Sequence, residues 1–331
     1  MTGRCALALL AWLLGCSSPA PASFTIVDQH ETAALLSAWG SSASDVWVVG
    51  GRPDLAASPT VLHFDGTAWQ RIDIGQPGID LWWVFGVGGD VFFSGSSGTI
   101  VRYRGGAFEK LTTPADGIVF GMWGPTAQDV WAIGRVSTGG GVLLWHFDGT
   151  TWTTVAPPVG FPPGLLGFKV HGQRSDDVWF SCNGGMTLHW NGSSLESLAT
   201  NDTASLFSIV TTPTDVVTAG DVTMSGTGAL DENKGSGWQS AALMVTAAWR
   251  GLAASKDQVY VVGEAGLIGR RDEAGDWTVV KQSLIQLSFH ADWIDPDGGF
   301  WGVGGEFDQT PLTQNGFLLY LGTRDIPPIT L

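Results

Sequence analysis

The strongest constraint on the fold is an internal repeat, because repeated units of fixed length stack into solenoids, propellers or arrays. Three motifs of one unit, Ala38–Gly40, Asp45–Gly50 and Val61–Trp69, recur almost residue for residue at 122–124, 129–134 and 144–152. The mean spacing between units is about 42 residues, which is typical of four-stranded propeller blades. The chain is therefore predicted to be an all-β, seven-bladed β-propeller.

The residues at equivalent positions of the repeat give the number of units. The large residue of the second strand falls at Trp47, Phe92, Trp131, Trp179, Val217, Tyr260 and Trp301. The small residue that closes this strand falls at Gly50, Gly95, Gly134, Cys182, Gly220, Gly263 and Gly304. The residue that opens the fourth strand has only six members, at Trp69, Phe108, Trp152, Leu195, Trp238 and Trp277. The repeated aromatic residues are expected to be core, since each blade buries one against the next.

Each unit predicts four strands, with a hairpin between the third and the fourth. The third strand ends in Asp-Gly at Asp65–Gly66 and Asp148–Gly149. This dipeptide is a strong hairpin signal, and a two-residue turn of this kind requires positive φ at both residues.

The last unit lacks a fourth strand of its own after 316–321. The segment Phe24–Gln29 resembles Trp277–Gln282, which opens the fourth strand of another unit. The N-terminal segment Phe24–Asp28 is therefore expected to complete the last blade and close the ring, which removes an exposed sheet edge. The alternative is that Ile326–Leu331 supplies this strand.

The N-terminus has the pattern of an export signal. An apolar run from Cys5 to Leu14 is too short to span a bilayer and suits a signal peptide. The sequence Leu13-Leu14-Gly15-Cys16 resembles a bacterial lipobox, which implies cleavage before Cys16 and lipid attachment to its sulfur. The alternative is an ordinary signal peptide that is cut nearer Ala22.

The predicted organisation is a lipoprotein signal peptide at 1–15, the lipidated cysteine and a tether at 16–23, and the propeller at 24–331. In the lipoprotein pattern Ser17 favours the outer membrane of the cell envelope. Cys182 then has no cysteine left to pair with, so no disulfide is expected. The formal net charge of −15 disfavours nucleic acid as a partner, because such a surface repels phosphate backbones.

The blade pattern resembles the BNR/Asp-box and photosystem-assembly-factor-like propellers. In those families a Val-Trp-x-Val-Gly strand precedes an Ile-Leu-x-x-x-Asp-Gly-x-x-Trp hairpin, and the likeness covers nearly the whole mature chain. The Asp-box itself, Ser-x-Asp-x-Gly-x-Thr-Trp, is incomplete at Asp65–Trp69 and Asp148–Trp152. The resemblance therefore implies an architecture and no particular activity.

Sialidases share this style of repeat, and the likeness implies an arginine triplet, a tyrosine nucleophile with a glutamate partner, and an acid–base aspartate. The three tyrosines, Tyr103, Tyr260 and Tyr320, all fall at strand positions of the repeat, and no arginine triplet accompanies them. Sialidase chemistry is therefore not expected, and no other catalytic residues are predicted.

No metal site or cofactor is predicted either. His63, His146 and His189 occupy one repeat position on three different blades, so they cannot share an ion. His171 stands at a position that is tryptophan in other blades and is expected to pack there. The segment Asp295–Gly299 is expected to form a plain turn instead of a calcium loop.

The lengths of the loops between second and third strands alternate around the ring. Blades 1, 3, 5 and 7 carry the long ones, at Gly51–Pro59, Arg135–Gly141, Asp221–Gly228 and Gly305–Asn315. Long loops on one face of a rigid scaffold are where binding usually occurs, although neutral insertion explains them equally well. The candidate binding residues on them are Arg52, Asp54, Arg135, Asp221, Glu306 and Asp308.

The sequence favours a non-enzymatic envelope lipoprotein that is attached to a membrane through its lipid and binds a protein or glycan partner through this face. One alternative is a glycan-processing hydrolase or lyase with a site in the central channel. Another is an assembly factor for an envelope complex.

Overall fold

The computed structural model describes residues 22–222, 227–241, 243, 245, 247–255, 258–282, 285–307 and 314–330. The predicted export signal, residues 1–15, and the predicted lipidation site Cys16 lie outside these residues. The described residues form seven four-stranded antiparallel sheets. The first strands of successive sheets contact one another around a closed circle, in which the first strand of blade 1 also contacts that of blade 7. This confirms the predicted seven-bladed propeller.

Blade 1 consists of β2 (Leu35–Ser42), β3 (Asp45–Gly50), β4 (Val61–Phe64) and β5 (Trp69–Arg71). Blade 2 consists of β6 (Leu81–Val87), β7 (Asp90–Gly95), β8 (Ile100–Arg104) and β9 (Ala107–Lys110). Blade 3 consists of β10 (Gly117–Thr126), β11 (Asp129–Val136), β12 (Val142–Phe147) and β13 (Trp152–Thr154). Blade 4 consists of β14 (Gly167–Arg174), β15 (Asp177–Cys182), β16 (Met186–Trp190) and β17 (Leu195–Ala199).

Blade 5 consists of β18 (Ser205–Thr211), β19 (Val216–Asp221), β20 (Gly228–Asn233) and β21 (Trp238–Ser240). Blade 6 consists of β22 (Trp249–Ala254), β23 (Val259–Gly263), β24 (Leu267–Arg271) and β25 (Trp277–Gln282), with a 3₁₀ turn at Glu264–Gly266. Blade 7 consists of β26 (Ser288–Ile294), β27 (Phe300–Glu306), β28 (Gln314–Gly322) and the N-terminal strand β1 (Ser23–Glu31).

The core lies between blades, where the repeated aromatic side chains meet. Trp47 of blade 1 packs edge-on against Phe93 of blade 2, with ring centroids 5.4 Å apart. Trp131 of blade 3 packs in the same way against Phe180 of blade 4, also at 5.4 Å. Both tryptophans are buried. Burial of one such side chain in each blade stabilises the ring by about 2–3 kcal/mol per blade.

The turns after the third strands differ from the two-residue turn that the Asp-Gly pairs predict. Gly66 has φ 90°, but Asp65 is not among the residues with positive φ. Instead, the carboxylate of Asp65 accepts hydrogen bonds from the backbone N–H groups of Thr67 and Ala68, both at 2.9 Å. Asp148 binds the N–H groups of Thr150 and Thr151 in the same way. The turns are therefore four residues long and held by the aspartate side chain.

Strand β1 pairs antiparallel with β28 and is the outermost strand of blade 7, with Ser23 opposite Gly322 and Ile26 opposite Leu319. The described part of the C-terminal tail, residues 323–330, does not form a strand. It crosses the junction between blades 7 and 1, where Ile326 is buried and the carbonyl of Pro327 accepts a hydrogen bond from Trp69 Nε1 at 3.1 Å.

Across the described ranges no group of metal-ligating side chains could hold an ion, and no helix is long and apolar enough to cross a membrane. Cys182 is a buried free cysteine at the end of β15. Burial raises the pKa of its thiol, so the neutral, unreactive form is favoured.

Candidate functional site

Two sets of loops emerge together at one end of the propeller, which we term the loop face. One set joins second to third strands, and the other leads from one blade to the next. Their backbones are hydrogen-bonded to each other: Gly51 N–H donates to the carbonyl of Ala34, and Glu264 N–H donates to that of Ala248, both at 3.0 Å. The described parts of the four long loops therefore lie on the face at which each innermost strand begins.

Two of the predicted binding residues on this face hold the first long loop in place. The backbone N–H of Arg52 donates to Asp80 at 3.0 Å, and its guanidinium donates to the carbonyl of Gly78. Arg52 thus joins the loop of blade 1 to the connection that enters blade 2. Asp54 accepts the N–H groups of Ala56 and Ala57, so it shapes the turn of the loop.

The other predicted residues are spread over blades 3, 5 and 7. Arg135 is exposed near the end of β11, whereas Asp221 is buried at the end of β19. Glu306 accepts a hydrogen bond from Asn315 Nδ2 at 3.0 Å. Asp308 lies outside the described residues. The binding role of these six positions remains a prediction.

The structure reveals a second feature of the loop face, namely a β-bulge near the start of every innermost strand. At each one, the pairing register shifts and one residue is left between two paired neighbours. A bulge turns the extra side chain out of the normal alternation of the strand. The seven bulged residues are Leu36, Trp82, Phe120, Phe168, Phe207, Arg250 and His290.

The bulged side chains of blades 2–7, together with Phe307, line one cavity of about 200 Å³. Equivalent positions of six blades can meet in this way only at the axis of the ring, so the cavity lies in the central channel. We term this set, with Lys169, the channel girdle. Phe307 follows β27 on the loop face, so the cavity lies at that end of the channel.

The members of the girdle touch one another in sequence. Ring centroids are 5.0 Å apart for Trp82 and Phe120, 6.0 Å for Phe120 and Phe168, and 5.2 Å for Phe168 and Phe207. The guanidinium of Arg250 lies 4.5 Å from the ring of Phe207. These contacts give the cavity an aromatic wall that extends over four blades, followed by two basic side chains.

Lys169 is the most unusual member of the girdle. It follows the bulged residue of β14 and is only 6% exposed. Its ammonium donates to the carbonyl of Phe120 at 2.7 Å and lies 4.0 Å above the ring of Trp83. No carboxylate pairs with it among the described residues. Burial without a counter-charge lowers the pKa of this lysine to about 7.

The two other basic members differ in their surroundings. Arg250 forms an ion pair with Glu264 at 2.7 Å. His290 Nδ1 is 2.6 Å from the carbonyl of Leu36 and therefore carries the proton, because a carbonyl only accepts. Burial, together with the nearby charges of Lys169 and Arg250, lowers the pKa of His290 well below its usual value. The ring is thus neutral at pH 7.

The girdle was missed from the sequence because a bulge shifts the alternation of a strand by one residue. No distinct signal was present, because adjacent large apolar residues, as in Leu81-Trp82, Val119-Phe120 and Leu206-Phe207, also fit a strand that is packed on both faces. Lys169 gives no signal either, since its burial depends on how blades 2, 3 and 4 approach one another.

Four other histidines have structural partners. His63, His146 and His189 each bind the aspartate that opens the second strand of the same blade, at 2.7–3.0 Å. His63 and His189 also stack on the tryptophan of that strand, with centroids 4.0 Å apart. These aspartate–histidine–tryptophan sets tie the second and third strands of three blades together.

His171 accepts a hydrogen bond from the backbone N–H of Thr211 in the next blade at 3.1 Å. Burial lowers its pKa to about 4, which keeps the ring neutral. Asp295 Oδ1 accepts the N–H groups of Asp297 and Gly299, and its other oxygen accepts Trp301 Nε1. The carboxylate of Asp295 therefore organises a turn.

No known protein family matches the sequence, and no curated protein matches it. Solved structures do match the fold. A catalytically inactive virginiamycin B lyase from Staphylococcus aureus with quinupristin superposes with a TM-score of 0.72 and 11% identity, over 91% of this chain and 99% of that one.

The structure of YCF48 bound to D1 peptide superposes with a TM-score of 0.65 and 14% identity, over 92% and 96% of the two chains. The WD40 repeats of RRP9 superpose with a TM-score of 0.68 and 13% identity, over 93% and 99%. At these identities the likeness concerns the fold alone, and the similar propellers include a lyase as well as proteins without that activity.

Proposed function

We propose that this chain is a non-catalytic envelope lipoprotein that binds a protein or glycan partner through the loop face. One observation carries the proposal: the described parts of four long loops and the mouth of an aromatic-lined channel occur together at the same end of a closed ring. Rigid scaffolds usually present their binding loops in this way.

Exposed apolar side chains on the loop face also support the proposal that a partner binds there. Leu55 lies in the long loop of blade 1, and Val159 lies in the proline-rich connection between blades 3 and 4. Both are largely exposed, at 66% and 106%. The other exposed large apolar residues of the described chain, Val279 and Val280, are less exposed, at 40% and 38%, and lie on the outer strand of blade 6. The two valines provide a matched control.

Photo-crosslinking in the native envelope tests the proposal. A photoreactive amino acid is placed at Leu55 or Val159 and, as the control, at Val280. The first two positions are expected to crosslink to the same partner, and the control is not. Crosslinking of that partner with equal yield from Val280, or of no partner from either loop-face position, would contradict the proposal.

The lipid anchor is tested separately. Labelling with radioactive palmitate is expected to modify the wild-type protein and not the Cys16→Ser variant, which should also accumulate with an uncleaved signal. Labelling of both proteins alike would refute attachment at Cys16.

A lyase or hydrolase that acts in the channel is the second candidate. The observation in its favour is that Lys169 lies in the cavity with a pKa lowered to about 7, as acid–base catalysis at neutral pH requires, and that the neutral imidazole of His290 lines the same cavity. Turnover of envelope glycans that is lost in His290→Gln would establish it over the binding role.

A further inference from the structure

We propose that the channel girdle is a binding site for a small organic carboxylate that has a flat apolar body. The site is formed within the ring and does not depend on a partner at the loop face. A failure of one proposal therefore leaves the other intact.

The charge of the cavity is the first argument. The chain carries only 16 Lys and Arg against 31 Asp and Glu, yet two of these cations, Lys169 and Arg250, face this one cavity beside the neutral His290. Glu264 balances Arg250. Lys169 has three N–H donors, of which one is used by the carbonyl of Phe120. The charge and the free donors of Lys169 therefore favour an anion as the ligand of this cavity.

A second buried hydrogen-bond donor also indicates that the ligand carries an acceptor group. The indole Nε1 of Trp82 is buried and has no hydrogen-bond partner among the described residues. A buried N–H without an acceptor is costly, and an acceptor on a ligand would remove that cost. Carboxylate oxygens accept only, so one carboxylate could satisfy both the ammonium of Lys169 and a second donor.

The wall and the size of the cavity define the rest of the ligand. Phe120, Phe168 and Phe207 present ring surfaces at 5.2–6.0 Å spacing, and a flat apolar group packs well against such a wall. The volume of about 200 Å³ is below the roughly 300 Å³ at which pockets for drug-sized ligands begin. The ligand is therefore a small aromatic or similarly flat acid.

Binding of an anion here is coupled to proton uptake. In the empty cavity Lys169 has a pKa of about 7, and a bound carboxylate favours its charged form. The other charged or titratable groups at the cavity are Arg250 with Glu264 on blade 6 and His290 on β26, and the histidine is already neutral. Affinity is thus expected to fall as the pH rises above 7, by up to tenfold per pH unit.

Isothermal titration with phenylacetate and indole-3-acetate tests the proposal on the propeller purified without its signal segment. Phenylacetamide serves as the neutral ligand of the same shape. The acids are expected to bind at least tenfold more tightly than the amide at pH 6.5, and this preference should disappear by pH 9. Equal affinity for acid and amide, or no binding of either acid, would overturn the proposal.

Two variants locate the site. Lys169→Met keeps the length of the side chain but removes its charge, and it is expected to abolish the preference for acid over amide. Lys110→Met makes the same substitution at an exposed lysine on the outermost strand of blade 2 and should leave the preference unchanged. Circular dichroism checks that both variants are folded. If the two variants lose the preference equally, the effect is one of overall charge and the girdle is not the site.

Discussion

The buried ammonium of Lys169 gives the sharpest test of the structure, through the pH dependence of stability. Its pKa is lowered from the usual 10.5 to about 7 in the folded protein. Each pKa unit corresponds to 1.36 kcal/mol, so burial of the charged form costs about 5 kcal/mol. The side chain is only 6% exposed, so solvent screening reduces this figure little.

The direction of the effect follows from proton linkage. Between pH 7 and about 10.5, the unfolded chain holds a proton on Lys169 that the folded chain has lost. Stability therefore rises with pH in this window, by about 3–4 kcal/mol between pH 7 and 10. Below pH 7 the lysine is charged in both states, and its contribution no longer changes.

The variant Lys169→Met removes this dependence. At pH 7 it is expected to be about 2 kcal/mol more stable than the wild type, since the relief of charge burial exceeds the loss of the hydrogen bond to Phe120. At pH 10 the order should reverse, because the neutral amine of the wild type costs little to bury.

Urea unfolding of the two proteins at pH 7, 8.5 and 10 measures the difference, and Lys110→Met, at an exposed lysine, serves as the control with an unchanged pH profile. A stability difference between wild type and Lys169→Met that stays constant across this range would refute the structure of the girdle, since it would mean that Lys169 is solvated or paired.

Other parts of the structure give three further tests. Burial raises the pKa of Asp292 well above its usual value, so the stability of the wild type relative to Asp292→Asn should fall as the pH rises from 4 to 7, as measured by thermal unfolding. Ile326 is 4% exposed at the junction of blades 7 and 1, and Ile326→Asp should lower the free energy of unfolding by about 2–4 kcal/mol in urea. Cys182 should react with a thiol reagent only in denaturant, and labelling of the native protein at the same rate would show that its site is open.

Much of the fold follows from the sequence because equivalent positions of a repeat give both the length of the unit and the number of copies. The positions of Trp47 and its six counterparts fix the number of blades, and their burial follows from the contacts between blades. The turns were harder to predict, because Asp65 and Asp148 act through their side chains and not through backbone φ. A dipeptide pattern does not distinguish these two mechanisms.

The channel girdle follows from the sequence only in part. The residues before and after each bulge are paired like those of an ordinary strand, so the identity of Phe120 or Phe207 alone does not reveal that its side chain faces the axis. The burial of Lys169 depends on contacts with blades 2 and 3, through Trp83 and the carbonyl of Phe120. Contacts between distant parts of the chain are not encoded in local periodicity.

The pairing of β1 with β28 also determines when the ring can close during folding. Blades 1–6 are each built from one continuous stretch, whereas blade 7 joins Ser23 to Gly322 across the whole chain. Strand β1, which is synthesised before the other strands, therefore remains unpaired until β28 has been synthesised. Contacts so distant in sequence form slowly, so closure of the ring is expected to be the final and slowest step of folding. Until the ring closes, β1 is expected to be accessible to proteases.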